Sequence, residues 1–156
     1  THIGDARFTN MRDQGIVNVG QLVREKHQRN GGLCIVGFAS YQGTVVAGSV
    51  WGGKMQIMNL PPAPRNTVEY LLHNHSAENK LILLDDPYWK KTFDEYGGHR
   101  AVGVVYHPEN DFKNYVPTLL THRYDALIYI DASNALHPLH LKHYGEKIPE
   151  TYPFGF

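Results

Sequence analysis

Leu33-Cys34-Ile35-Val36-Gly37-Phe38-Ala39-Ser40, then Tyr41-Gln42-Gly43, then Thr44-Val45-Val46-Ala47-Gly48-Ser49-Val50: this stretch decides the class of fold. The first run is apolar and of strand length. The last is rich in β-branched residues. The tyrosine-glutamine-glycine triplet between them reads as a turn. The pattern predicts two strands joined as a hairpin. A hairpin is antiparallel, so a sheet that contains it is not purely parallel.

Outward from this pair, helix and strand signals alternate. Upstream, Asn18 and Gln21 form a capping-box pattern, with Val19, Leu22 and Val23 on one helical face. His27 falls in the last turn, where a cation suits the helix dipole, and Gly31-Gly32 reads as the stop. Downstream, residues 55–60 suggest a short third strand. Pro61-Pro62-Ala63-Pro64 is a stiff surface connector, too short to separate two cores. Asn66 and Glu69 form a second capping box, with Val68, Leu71 and Leu72 behind it. Residues 81–84 read as a short buried strand. Asp86-Pro87 is a strong helix start. Trp89, Phe93 and Tyr96 follow on one face, and Gly97-Gly98 reads as that helix's end. Residues 101–106 are nearly all apolar, as expected of a central strand covered on both faces. A short helix near 117–123 and a last strand, 126–130, ending at Asp131, complete the order. The segment 136–156 has three prolines and no periodicity, which predicts an extended tail over the surface. The expectation is an α/β layered domain with a mixed β-sheet flanked by helices, residues 1–156 forming a single domain. In such sheets functional groups gather at the carboxyl ends of strands, here Asp85, Asp86, Tyr106, His107 and Asp131.

Composition narrows the function. Fifteen basic residues balance fifteen acidic ones, so no global field draws the chain to nucleic acid or an anionic membrane. No apolar run approaches the roughly 20 residues that span a bilayer. A cytoplasmic protein is expected. The lone cysteine, Cys34, has no intrachain partner for a disulfide and reads as a buried, inert thiol, because no neighbouring charge lowers its pKa. Ten histidines point to proton chemistry or metal binding where several converge.

Most histidine groupings have plain readings. In His73-Asn74-His75 the two rings, two residues apart on a helix, face different ways. They read as a polar helix end and not as a nuclease motif. His137, His140 and His143 have ligand-like spacing, but no acid stands near before Glu146 and Pro138 interrupts the helix that would align them. His107 and Glu109, after a predicted strand, could act as an acid/base pair, against the simpler reading of a turn fixed by Pro108. Asp131 reads as a turn residue. No nucleophile elbow, phosphate loop or dinucleotide fingerprint is present. His2 with Asp5 and Arg7 is a workable set for polarising water or an ester carbonyl. The chain opens Thr1-His2-Ile3-Gly4-Asp5-Ala6-Arg7 and reads as a sequence that begins inside a motif.

Four segments resemble the C-terminal part of the erythromycin esterase-like family. Thr1-His2-Ile3-Gly4-Asp5-Ala6-Arg7 is similar to the back half of its His-Asn-x-His-x-x-Asp-Ala motif. Asn18-Val19-Gly20-Gln21-Leu22-Val23-Arg24-Glu25, with the strands at 35–38 and 43–47, is similar to its glycine-leucine-arginine helix and following strands. Ala101-Val102-Gly103-Val104-Val105-Tyr106-His107-Pro108-Glu109 and Tyr124-Asp125-Ala126-Leu127-Ile128-Tyr129-Ile130-Asp131 resemble two further family segments, and order and spacing hold along nearly the whole chain.

This resemblance implies a hydrolase of a carboxylic ester, a macrolide lactone in characterised members, a chemistry of antibiotic resistance. Water is activated there by a histidine general base, without a covalent serine intermediate. That base lies in a glutamate-x-x-histidine motif with no counterpart here. His2 maps onto the second histidine of His-Asn-x-His and is the catalytic residue the resemblance transfers. Asp5, Arg7, Tyr106 and Glu109 are possible active-site residues. No cofactor and no metal are implied. The expected partner is a small-molecule ester, with the oligomeric state open. Two alternatives stand beside this reading: a non-catalytic remnant or binding module of the same fold, and a metal-dependent hydrolase built on His137, His140 and His143.

Overall fold

The expected turn at 41–43 is not there. The computed structural model describes residues 3–27 and 32–137, and in it one continuous strand, β1, runs Val36–Ala47. Its first part pairs in parallel with β6 (Ala126–Ser133), from Val36 opposite Ala126 to Gly43 opposite Ser133. Its last part pairs antiparallel with β2 (Gln56–Leu60). The reason lies at Gly43, whose φ is +125° and whose imagined Cβ would lie 2.0 Å from the Ser133 carbonyl oxygen. The glycine therefore permits close approach of two strands, and does not reverse the chain. β3 (Lys80–Leu83) runs antiparallel along the far side of β6, giving the order β2-β1-β6-β3. The sheet is mixed as expected, but by the parallel β1–β6 pair set among antiparallel ones.

Several other readings are corrected. Gly97 and Gly98 do not end a helix; they begin β4 (Gly97–Arg100), which pairs with β5 (Tyr115–Thr118) in a separate two-stranded sheet. The apolar run 101–106 is not a central strand. Among the described residues its strand-like pairing is one isolated bridge, Val105 to Gly48, and Val104 is exposed. Pro117 lies in β5, and only Leu120–Arg123 (α4) is helical. The residues 81–84 are not uniformly buried: Ile82 and Leu84 face the core while Leu81 and Leu83 face out. Cys34 is exposed, not buried. The tail beyond residue 137 lies outside the described residues.

Helix α1 (Val19–His27) starts as read, with Asn18 Oδ1 accepting from the Gln21 amide at 2.9 Å. In α2 (Val68–His75) the cap is Thr67, not Asn66, and accepts from the Tyr70 amide. That leaves Glu69 free to point inward. In α3 (Pro87–Thr92) Asp86 caps at the Tyr88 amide, and Trp89 stacks on Phe93. Tyr96 is exposed beyond the helix end. Inward residues of the sheet, Ala39, Ile82, Leu127 and Tyr129, pack with Val68, Leu72, Phe93 and Leu120 as the main core. A smaller cluster joins Ala47, Leu60 and Tyr106. No helix among the described residues is long and apolar enough to cross a membrane.

Candidate functional site

The segment from Ile3 to Thr9 is tied down residue by residue. Asp5 is fully buried and accepts at Oδ1 from the Arg7 amide (3.1 Å) and Nε (3.0 Å), and at Oδ2 from an Arg7 terminal nitrogen (2.6 Å). Such a two-point grip on a carboxylate is the strong form of ion pair. It holds the Arg7 guanidinium above its ordinary pKa, the Asp5 hydrogen bond outweighing burial. Arg24 of α1 approaches the same carboxylate at 3.6 Å and makes two bonds to Asp125, at 3.0 and 3.1 Å. Asp125 in turn accepts from the Ile35 amide at 2.6 Å, just before β1. A chain of charges thus joins the first residues to the start of the parallel strands.

Backbone contacts complete the anchor. The Asp5 amide donates to the Arg123 carbonyl, the Leu119 amide to the Phe8 carbonyl, and Thr9 bridges Thr118. Asn18 donates to the Gly4 carbonyl at 2.7 Å. Two glycines let this happen. A Cβ on Gly4 would meet Arg123 Nε at 2.5 Å and the Tyr124 hydroxyl at 2.8 Å. One on Gly20 would meet the Ile3 carbonyl oxygen at 1.9 Å. Below Gly4 the interior stays polar. Arg123 is fully buried, donates to Thr118 Oγ1 at 2.7 Å, and lies 5.2 Å over the Tyr124 ring. Among the described residues, its Nε and second terminal nitrogen have no hydrogen-bond partner. Burial pushes this guanidinium below its ordinary pKa, with Tyr124 and Asp5 opposing. Tyr124 meets the edge of His99, whose Nδ1 lies 2.7 Å from the wholly buried Glu69.

Beside Arg7 and Arg24 a half-open cavity of about 370 Å³ is lined also by Phe8, Thr121 and His122. Two guanidinium groups and an imidazole there can stabilise negative charge that develops on an oxygen.

The predicted site residues divide. Asp5 and Arg7 come together as described. His2 lies outside the described residues, two positions before Gly4. Tyr106 is elsewhere and buried. Its hydroxyl donates to Asp111 Oδ1 at 2.7 Å, while Asp111 Oδ2 takes Arg100 at 2.9 Å. Arg100 also donates to the carbonyls of Ser40, Tyr41 and Pro61. Tyr106 is thus part of a clamp that locks the two sheets together, and burial with its Asp111 bond raises its pKa. Glu109 does lie 3.3 Å from His107, but both are exposed on the surface. His137 is exposed, and His140 and His143 lie outside the described residues. Among the described residues no three metal-ligating side chains converge.

Patterning missed Arg24, Glu69, His99, Asp111 and Arg123 as a buried polar system. Glu69 carried a signal, because an acid between Val68 and the apolar face of α2 has no solvent to point at. His73 and Asp131 were also misjudged. His73 Nδ1 lies 2.7 Å from Asp131 Oδ1, its ring stacks on Tyr41 at 3.8 Å, and Tyr129 donates to the same oxygen at 2.5 Å. The separate facing of His73 and His75 holds: His75 packs on Tyr88 and Trp89.

Burial favours the protonated form of Asp131, but the bonds from Tyr129 and His73 and the charges of His73 and Lys80 outweigh it, so its carboxyl sits below the usual carboxylate range. A depressed folded pKa contributes stability that is complete above the unfolded value, near 4, and is lost as pH falls through the folded value. Urea titrations at pH 7, 4 and 3 are therefore expected to show the wild type losing stability faster than Asp131→Asn. Parallel losses in the two proteins would refute the clasp.

The erythromycin esterase family model matches residues 1–133. A Bacillus cereus protein of known crystal structure superposes with a TM-score of 0.68 at 16% identity, covering 85% of this chain and 32% of its own. A succinoglycan biosynthesis protein superposes at 0.67 and 17% identity, with 85% and 31% covered. At such identities the likeness concerns the fold. The chain spans about a third of the length of these two structures.

Proposed function

We propose, since this chain belongs to the erythromycin esterase family, that it forms one wall of the active site of a carboxylic-ester hydrolase, with His2 among the catalytic histidines. The observation that carries this is the anchoring of residues 3–9. A buried Asp5, gripped by Arg7 and approached by Arg24, fixes the backbone that immediately follows His2. Burying the Asp5 charge is costly in desolvation, and the two arginines offset that cost by holding it in one place. Preorganised position is what a catalytic histidine needs.

In the reaction, water adds to the ester carbonyl carbon as a base takes its proton. The carbonyl oxygen becomes an oxyanion, and the alkoxide departs with a proton. His2 acts as a donor or base at this centre, and Arg7, Arg24 and His122 along the adjoining cavity favour the developing charge. A lactone of macrolide type is the substrate class that the family description suggests. The family's glutamate-x-x-histidine motif has no counterpart in these 156 residues, so alone they are expected not to turn over ester.

The test uses the full reading frame that contains this chain. His2→Ala should lower kcat/KM for a lactone or activated ester by about 10²–10⁴-fold with an unchanged circular dichroism spectrum. Undiminished turnover would remove His2 from the chemistry. Turnover by the 156 residues alone, abolished by His2→Ala, would mean that the site is complete within them. A full-length protein that binds a lactone without hydrolysing it would favour the non-catalytic module.

A further inference from the structure

One face of the four-stranded sheet packs on α2 and the core. On the other, among the described residues, apolar side chains of β1 and β3 are exposed. The registers place Leu81, Ile128 and Phe38 side by side across β3, β6 and β1, and Leu83, Ala126 and Val36 in the next row. Val46 and Ile57 lie on the same face farther along β1, beyond the polar Ser40, Gln42 and Thr44. Leu81 is 66% exposed, Leu83 58%, Phe38 63% and Ile57 64%. Leu81, Leu83 and Phe38 together expose an apolar patch on the order of 300 Å², the size of the often functional largest patch on a monomer.

The strands themselves indicate what they are built to face. Ala126-Leu127-Ile128-Tyr129-Ile130 and Leu81-Ile82-Leu83 do not alternate apolar with polar. They are apolar on both sides, the pattern of strands covered on two faces. Parallel strands such as β1 and β6 are joined by crossover connections, which in α/β sheets place helices on the sheet faces. Helix α2 covers one of them. The two similar solved chains are about three times as long as the part this chain matches.

We propose that this outer face seats a layer of amphipathic helices from the same longer polypeptide, supplied by sequence outside residues 1–156. The layer presents aliphatic side chains to Phe38, Leu81, Leu83 and Ile128, and charged ones to water. It completes an α/β/α arrangement in which the present chain is one layer and the central sheet. A second copy of the chain is the competing occupant, and so are residues 138–156.

A photo-crosslinking residue placed at Leu81, in the protein expressed from its full reading frame, decides between them. Mass spectrometry should find the adduct within the same chain, on apolar residues of a helix outside 1–156. Adducts only on a second copy's residues 1–156, adducts on residues 138–156, or no adduct, would each overturn the proposal. A second measurement uses the 156 residues alone. They are expected to self-associate and to enhance the fluorescence of an apolar dye, and Leu81→Lys with Leu83→Lys should lower that fluorescence severalfold and give monomers with unchanged circular dichroism. A wild-type chain that sediments as a monomer and leaves the dye dark would equally defeat it.

Discussion

Asp5→Asn is expected to cost about 3 kcal/mol of stability and to lower Tm by roughly 6–12 °C, from the penalty for breaking a buried pair and the usual scaling of Tm for a chain of this size. The side chain is fully buried, and the substitution is nearly isosteric, so little packing is lost. What disappears is the negative charge that Arg7 and Arg24 share. Removing one partner of a buried pair typically costs about 3–5 kcal/mol. The lower end applies here, because the Arg7 side chain is 33% exposed and regains water, and Arg24 keeps Asp125. Arg123 has no such recourse, being buried with two donors unpaired among the described residues. Asp5→Ala should cost about 1 kcal/mol more, since it also removes the cap accepted from the Arg7 amide. Thermal melts of the three proteins check both steps. A Tm for Asp5→Asn within 2 °C of wild type would show the anchor to be decorative, and would remove the chief support for a positioned His2.

The same physics explains why Tyr106 leaves the candidate site. Arg100, Asp111, Tyr106 and Tyr115 lie at hydrogen-bond distance of one another, and the two terminal nitrogens of Arg100 also donate to main-chain carbonyls of β1 and the connector after β2. The Tyr106 hydroxyl is buried and already engaged by Asp111, so it is not presented to a substrate. By contrast, Arg7, Arg24 and His122 border open space.

Local rules made much of this architecture legible. Asn18 and Asp86 cap helices because their side chains satisfy amides that the helix leaves open, a matter decided within three residues. The last strand was readable because five apolar residues between Asp125 and Asp131 have few other uses. What escaped was everything set by distant neighbours. Glu69 fits a capping box by spacing, yet His99 and the Arg100 amide, thirty residues on, claim its carboxylate. The run 101–106 has the composition of a buried strand, but β6 already occupies the flank of β1 that it would need. Half of the candidate site was visible for the same reason: Asp5 and Arg7 are two residues apart, whereas Arg24, Asp125 and Arg123 reach them only through the fold.

Gly43→Ala tests the most consequential of those long-range effects, and should destabilise the protein by about 4 kcal/mol. Two penalties add. A side chain at φ +125° adopts a backbone region that is essentially glycine's own, at a cost on the order of 1–3 kcal/mol. The new methyl must also displace the Ser133 backbone, whose carbonyl oxygen would lie 2.0 Å away and whose nitrogen 2.6 Å, and overpacking of that kind adds about 1–3 kcal/mol. Backbone cannot yield as a long side chain can, so β1 and β6 must part at their carboxyl ends, beside the His73–Asp131 clasp. Gly52→Ala is the matched control. Gly52 has φ +72° with nothing within 4 Å of the added carbon, so it carries the conformational penalty alone, about 1–2 kcal/mol. The difference between the two variants measures the closeness of β1 to β6. Were Gly43→Ala to cost no more than Gly52→Ala, the glycine would need only its positive φ. The chain would then turn at 41–43 as its residues first suggest, and the parallel pairing of β1 with β6 would not extend to Ser133.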